Sequence, residues 1–200
     1  MVIGLDLDNT IICYDRLFAS VAREMGLIPG EGEVSKSWVK AEVMGRFGND
    51  VWTELQGHVY GSSLHRAVPF PGVEDVVRSW RAGGYELVVI SHKTRFPALG
   101  PRCDLREAAL VWLEARGWFE PALLGAASGV VEFHDSRSEK VAAIARRGCK
   151  FFVDDLPEVF AEPGFPDSTR RVLFDPSGIH ASLPDATVCR SWHDILPLVS

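Results

Sequence analysis

Short apolar runs alternate along the chain with longer stretches in which apolar residues recur at helical spacing. The runs are Val2–Leu7, Glu86–Ile90, Gly129–Phe133, Phe151–Val153 and Arg171–Phe174. Their length and their content of β-branched and aromatic residues predict buried strands. Because helical stretches separate these strands, the pattern predicts a doubly wound α/β fold, in which helices cover both faces of a parallel sheet.

The helical stretches fall into two groups. Those that follow the first predicted strand are interrupted by glycines and predict a small helical insertion. The later ones alternate with the strands, and two of them have predicted amino-terminal caps, at Asp104 and Ser138. We therefore expect a core domain of residues 1–14 and 65–200 and an inserted domain of residues 15–64.

Polar side chains directly follow three of the predicted strands. Asp6 and Asp8 lie at the end of the first, Ser91 follows the second, and Asp154 and Asp155 follow the strand at Phe151–Val153. In open α/β sheets ligands bind outside the carboxyl ends of the strands, which is where these side chains are expected. Two neighbouring carboxylates raise each other's pKa unless a cation neutralises them. Asp6 and Asp8 alone are therefore compatible with a metal site, a shared proton or a polar turn.

Composition narrows the class of protein. The chain has 200 residues, of which 46% are hydrophobic and 24% charged, values typical of a soluble globular protein. The formal net charge of −6 argues against a nucleic-acid partner, which would favour a basic surface. No apolar run approaches the roughly 20 residues of a membrane helix, and we expect neither a secretory signal nor membrane association. Scattered cysteines without metal-binding spacing indicate free thiols and a cytoplasmic protein.

Four short motifs, taken together, resemble those of the haloacid dehalogenase (HAD) superfamily. Asp6-Leu7-Asp8-Asn9-Thr10 resembles its first motif, DxDxT, and Ser91 at the end of a hydrophobic strand resembles the second. Lys140, which opens a predicted helix, resembles the third, and Asp154-Asp155 resembles the acidic fourth motif. Each motif alone is explained by a turn, a strand-end hydroxyl, a solvated lysine or a helix cap. Their common order and context favour the resemblance, which implies a Rossmann-like fold and a phosphatase-type hydrolase.

The resemblance implies separate roles for the acids. Asp6 corresponds to the nucleophile that forms an aspartyl-phosphate, and Asp8 to the acid that protonates the leaving group and then activates water. The implied cofactor is Mg²⁺, with ligands from Asp6, the backbone carbonyl of Asp8, and the pair Asp154 and Asp155, of which either is a candidate for direct ligation.

The resemblance also implies a phosphate-binding set. Ser91 corresponds to a hydrogen-bond donor to a phosphoryl oxygen, and Lys140 to a cation that neutralises both the nucleophile and the phosphate. We expect His92 to contribute to the same set, through backbone N–H groups that follow Ser91. Lys93 has two interpretations, an additional cation at the site or a solvated surface charge.

The function that these motifs predict is Mg²⁺-dependent hydrolysis of a small phosphate monoester, such as a nucleotide or a sugar phosphate. The insertion at residues 15–64 resembles a small C1-type cap, which favours a small phosphorylated substrate. Alternatives are a phosphotransferase or phosphomutase of the same superfamily and a non-catalytic HAD-fold binding module. A dehalogenase is disfavoured because those members generally do not need the second acid, and Asp8 is present.

Overall fold

The structure is a computed structural model that describes residues 1–30, 32, 35–126 and 129–199. The chain divides into two compact units. The core unit comprises Met1–Ile12, Pro69–Lys93 and Gly117–Ser200, and the helical unit comprises Cys13–Val68 and Thr94–Arg116. The helical unit thus includes 94–116, a segment that the sequence placed with the core. Residues 31, 33 and 34 of the predicted insertion lie outside the described residues.

The elements follow one another in the alternating order that the sequence pattern predicts. The strands are β1 (Val2–Leu5), β2 (Ile12–Cys13), β3 (Val68–Pro69), β4 (Glu86–His92), β5 (Val131–His134), β6 (Phe151–Asp154), β7 (Arg170–Phe174) and β8 (Ala186–Cys189). The α-helices are α1 (Asp15–Glu24), α2 (Lys36–Phe47), α3 (Asn49–Tyr60), α4 (Val73–Ala82), α5 (Leu105–Ala115), α6 (Arg137–Arg147), α7 (Pro157–Phe160) and α8 (Trp192–Ile195). Single turns of 3₁₀-helix occur at Leu64–Arg66 and Leu196–Val199.

The core unit is built on a six-stranded sheet in the order β5-β4-β1-β6-β7-β8, and its strands pair in parallel. From β1 the chain adds β4 and β5 on one side and β6, β7 and β8 on the other. Because crossovers between parallel strands are generally right-handed, strands added in opposite directions carry their helices on opposite faces of the sheet. The predicted doubly wound α/β fold is therefore confirmed. Because β1 lies between β4 and β6, the order of strands reverses there, and the carboxyl ends of these three strands border a crevice.

Close packing behind β1 depends on a glycine. Gly4 pairs in register with Phe152 of β6, whose ring is fully buried. A Cβ at position 4 would lie 2.8 Å from Phe152 Cε2 and 2.9 Å from Cys149 Sγ. Only glycine lets these side chains pack directly against the backbone of β1, and they belong to the same buried cluster as Ile90 and Leu173.

The helical unit is held by aromatic and backbone contacts. Phe18 of α1 stacks on Trp52 of α3 with ring centroids 5.1 Å apart, and Tyr60 meets Phe18 edge-on at 5.7 Å. Trp112 of α5 donates a buried hydrogen bond to the Ala67 carbonyl at 3.0 Å, which joins the segment 94–116 to the rest of this unit. The role of residues 15–64 as a cap stays a prediction.

Two local features differ from the sequence-based expectation. The cap of α6 is Ser136 and not Ser138, because Ser136 Oγ accepts the Glu139 N–H at 3.2 Å while Ser138 already lies within the helix. Lys140 is consequently the fourth residue of α6. The sequence does not predict the edge strand β8, since it is only four residues long, has a single large aliphatic residue and depends on pairing with β7. No helix within the described ranges combines the length and apolar character needed to cross a membrane.

Candidate active site

Asp6 occupies the carboxyl end of β1. Its backbone N–H donates to the Val153 carbonyl at 2.9 Å, so the pairing of β1 with β6 continues one residue past the strand. This pairing places the Asp6 side chain inside the sheet edge, where only 5% of the residue is exposed. A buried carboxylate needs compensating charge or hydrogen bonds, which the neighbouring elements provide.

The loop after Asp6 turns back on itself tightly. The N–H groups of Ile11 and Ile12 both donate to the Leu7 carbonyl, at 3.0 and 2.9 Å. Asn9 takes a left-handed conformation with φ of 57°, which a short polar side chain tolerates. Trp192 of α8 donates to the carbonyl of Thr10 at 3.1 Å. The turn that carries Asp8 is therefore held in one conformation by its own backbone hydrogen bonds and by the hydrogen bond from α8.

Lys140 links the ends of β1 and β6. Its side chain is 1% exposed, and its Nζ lies 2.5 Å from Asp6 Oδ1 and 2.7 Å from Asp154 Oδ2. Asp154 is fully buried, and its Oδ1 accepts the N–H of Leu156 at 3.0 Å. One ammonium group thus bridges two buried carboxylates, and their orientations are fixed.

Burial and charge act in opposite directions on this group. Burial raises the pKa of Asp6 to about 7, because it outweighs the attraction of Lys140, and repulsion from Asp154 and Asp8 acts in the same direction as burial. For Lys140, burial alone would lower the pKa, but the carboxylates of Asp154 and Asp6 hold it above its ordinary value. The lysine is therefore a permanent cation. Any further positive charge placed beside Asp6 would stabilise the ionised form of its carboxyl group.

Three acids form a group with the dimensions of a cation site. One oxygen atom from each of Asp6, Asp154 and Asp155 lies within 4.8 Å of the others. Carboxylate oxygens suit Mg²⁺, which also retains several water ligands. A divalent cation here would favour the ionised form of Asp6, whose pKa burial raises. The donor set therefore fits the predicted cofactor.

The end of β4 presents alternate side chains to opposite faces. Ser91 is 1% exposed, and its Oγ has no hydrogen-bond partner among the described residues. His92 is exposed, and its Nε2 lies 3.1 Å from the Asp135 carbonyl oxygen. Since successive side chains of a strand point to opposite faces, the structure does not bring the His92 ring together with Ser91. A phosphate contact from His92 would have to use its backbone N–H.

Lys93, which the sequence left with two interpretations, is buried at the site. Its Nζ lies 2.7 Å from Asp8 Oδ2, and its side chain is 3% exposed, which rules out a solvated surface charge. The two-residue period of strands was the available signal, because it puts Lys93 on the same face as Ser91. With all four acids of the predicted site ionised, these acids and the two lysines paired with them carry a formal charge of minus two, which becomes minus one when Asp8 is protonated.

Comparison with known proteins finds likeness in structure and not in sequence. No protein-family model matches the chain, and no curated protein matches it. The HAD hydrolase YfnB from Bacillus subtilis, solved bound to magnesium, superposes with a TM-score of 0.64 at 10% identity, covering 100% of this chain and 98% of its own.

Two further solved structures share this fold. A HAD family hydrolase from Deinococcus radiodurans R1 with bound phosphate and sodium has a TM-score of 0.58 at 14% identity, covering 97% of this chain and 92% of its own. A dehalogenase solved as an intermediate complex has a TM-score of 0.59 at 14% identity, covering 98% and 96%. The chain therefore has the fold of HAD-superfamily hydrolases, as its motifs predict. Because a dehalogenase shares that fold, the fold alone does not define the reaction.

Proposed function

We propose that the chain is a HAD-superfamily phosphatase that hydrolyses a small phosphate monoester with the help of Mg²⁺. The observation that carries the proposal is the buried bridge from Lys140 to Asp6 and Asp154, beside the oxygen cluster completed by Asp155. Phosphoryl transfer needs a nucleophile, neutralisation of charge and a proton donor, and this constellation offers candidates for each.

Asp6 and Asp8 divide the chemistry. A carboxylate oxygen of Asp6 attacks phosphorus, the bond to the leaving oxygen breaks, and the proton of the Asp8 carboxyl passes to that oxygen. Water then attacks the phosphorus of the aspartyl-phosphate and gives a proton to Asp8. The acyl phosphate bond breaks, which releases inorganic phosphate and restores the Asp6 carboxylate. The hydrogen bond from Trp192 to the Thr10 carbonyl helps to hold the turn that carries Asp8, next to the end of β1 that carries Asp6.

Residues at the carboxyl end of β4 and in the first turn of α6 bind the phosphoryl group. Ser91 Oγ, buried without a described partner, donates to one phosphoryl oxygen, and the Lys140 ammonium neutralises the negative charge that Asp6 and the phosphate bring together. The backbone N–H of His92 is the remaining predicted donor. Side chains held by burial need little reorganisation when charge shifts in the transition state.

Asp6, Asp154, Asp155 and the backbone carbonyl of Asp8 are the proposed Mg²⁺ ligands. Bound there, Mg²⁺ supplies positive charge that offsets the carboxylates and the phosphate. Residues 15–64, the inserted part of the helical unit, are proposed to act as the C1-type cap that selects a small substrate, since they follow Asp6 and Asp8 in the chain and precede Ser91.

The test is hydrolysis of a panel of phosphate monoesters by the wild-type chain and by Asp6→Asn, with MgCl₂ and with EDTA. We expect release of inorganic phosphate only from the wild type with Mg²⁺. Equal turnover by the wild type and Asp6→Asn across the panel would refute the proposed phosphatase activity. Phosphate transferred to an added alcohol in place of water would identify a phosphotransferase.

The variant Asp8→Asn tests the proposed proton donor. It should keep Mg²⁺ binding, because its backbone carbonyl remains, and lose most turnover.

A further inference from the structure

We infer that Lys93 is a positioning residue that holds the Asp8 carboxyl group in the orientation needed for proton transfer. The inference rests on the proposed function, because it assigns Asp8 the proton. Lys93 lies outside the four motifs. Its role is inferred from its contact with Asp8, and both residues belong to the core unit.

The contact has the properties of a fixed support. Lys93 Nζ lies 2.7 Å from Asp8 Oδ2, with 3% of the Lys93 side chain and 21% of the Asp8 side chain exposed. The backbone N–H of Lys93 donates to the His134 carbonyl at 3.0 Å, so β5 anchors the base of the lysine. Lysine is almost never fully buried unless it is paired, and a pair screened from water holds its geometry better than a surface ion pair.

Asp8 needs such a support more than Asp6 does. Asp6 is buried and held by Lys140, whereas Asp8 lies on the turn beyond the sheet and is more exposed. A general acid works only within hydrogen-bond reach of the atom it protonates, and a displacement of about 1 Å is costly. The contact of Lys93 Nζ with Oδ2 restricts rotation of the Asp8 carboxyl group and so the direction in which its proton is presented.

Lys93 also connects the proton donor to the phosphate site. Ser91, two residues earlier on the same face of β4, is the proposed phosphate ligand, and Lys93 continues that face to Asp8. The end of β4 thus sets the distance between the bound phosphoryl group and the acid, although Lys93 itself contacts Asp8 and not the reacting atoms.

The test compares phenyl phosphate with p-nitrophenyl phosphate, which have similar shapes but leaving groups of different basicity. Phenolate needs the proton of Asp8 more than p-nitrophenolate does. We expect Lys93→Met to lower kcat/KM for phenyl phosphate about tenfold more than for p-nitrophenyl phosphate, within the range that general acid catalysis contributes. In an Asp8→Asn background the same change should alter kcat/KM by less than about twofold, because the two residues act together.

Lys93→Arg keeps a cation and should move the ratio of the two kcat/KM values back toward that of the wild type. Lys150→Met is the matched control, since Lys150 is exposed and precedes β6 at the opposite end of the sheet. Equal losses on both esters, or full additivity with Asp8→Asn, would overturn the inference.

A structural measurement decides the point independently of activity. Crystal structures of the wild type, Lys93→Arg and Lys93→Met should show one Asp8 rotamer in the first two and a displaced or multiple conformation in the third. An unchanged Asp8 rotamer in Lys93→Met would contradict positioning even if the wild type hydrolysed neither ester. Absence of hydrolysis by the wild type would refute the proposed function alone.

Discussion

Lys140 Nζ lies 2.5 Å from Asp6 Oδ1, although 134 positions separate the two residues in the chain. The same ammonium group lies 2.7 Å from Asp154 Oδ2, so one cation joins the loop after β1, the end of β6 and the first turn of α6. Because both carboxylates are buried, loss of this ammonium group would leave two uncompensated charges in the interior of the core unit.

Replacing Lys140 by Met should destabilise the protein strongly. The change leaves two buried carboxylates without their shared cation, and loss of one partner of a buried ion pair costs about 3–5 kcal/mol. Urea unfolding with EDTA present measures the effect. The control Lys150→Met removes an exposed lysine and should stay within about 0.5 kcal/mol of wild type. Equal urea midpoints for Lys140→Met and wild type would show that the bridge contributes no net stability.

The two acids of the Asp154–Asp155 pair should separate in their effects. Isothermal titration is expected to show Mg²⁺ binding weakened at least about tenfold by Asp154→Asn and by Asp155→Asn. Asp154→Asn should also lower the metal-free unfolding free energy, and by more than Asp155→Asn, because Asp154 is fully buried and paired with Lys140. Unchanged affinity in one of the two variants would remove that residue from the proposed ligand set.

Gly4→Ala should destabilise the core unit by about 1–3 kcal/mol, the usual effect of overpacking. The added methyl group would meet Phe152 Cε2 at 2.8 Å and Cys149 Sγ at 2.9 Å, and both lie in the buried cluster. Thermal unfolding measures the change. Gly45→Ala is the matched control, since no described atom lies within 4 Å of the added Cβ and Gly45 sits inside α2. There alanine should stabilise by about 0.5–1 kcal/mol, and a destabilised Gly45→Ala would argue against the packing explanation.

Asp175 should make stability depend on pH in the acid range. Burial alone would raise the pKa of Asp175, but hydrogen bonds from the backbone N–H groups of His180 and Ile179 and from Ser177 Oγ hold it below its ordinary value. A carboxyl group with a depressed folded-state pKa stabilises the protein above its unfolded pKa of about 4, and the stabilisation is lost as pH falls through the folded value.

The variant Asp175→Asn tests this dependence. We expect it to be less stable than wild type at pH 7 and the difference to shrink as the pH falls below about 4, when the wild-type carboxyl becomes protonated. Unfolding free energies measured from pH 7 to pH 2.5 give the comparison. A difference that stayed constant over this range would show that the charge on Asp175 contributes nothing.

The sequence predicted the fold well where the signal was local. The strands β1, β4, β6 and β7 are marked by apolar runs, and the helices between them by their periodicity. Prediction from the sequence is weakest for a strand that forms only because a neighbouring strand pairs with it. Strand β8 has a single large aliphatic residue, and it forms because the edge of β7 supplies hydrogen bonds.

The residues of the candidate site also divide into those that the local sequence identifies and those that it does not. Asp6, Ser91 and Asp154 were identified because each ends an apolar run, and strand ends converge in a parallel sheet. His92 adjoins Ser91 but its ring lies on the other face of β4, so its contribution through the backbone N–H stays a prediction. Lys93 was left open because sequence does not distinguish a buried ammonium from a solvated one until its partner is known.

The sequence by itself determined the alternation of strands and helices, the acids and the serine at strand ends, and the resemblance to the HAD superfamily, because these depend on periodicity and on neighbouring residues. Tertiary structure alone decided that Lys140 bridges Asp6 and Asp154 and that Lys93 pairs with Asp8. These contacts join residues that are far apart in the chain, and they form only when the order of the strands brings β1, β4 and β6 side by side. Burial of the charges, which sets the pKa of Asp6 and the strength of both pairs, follows from that packing.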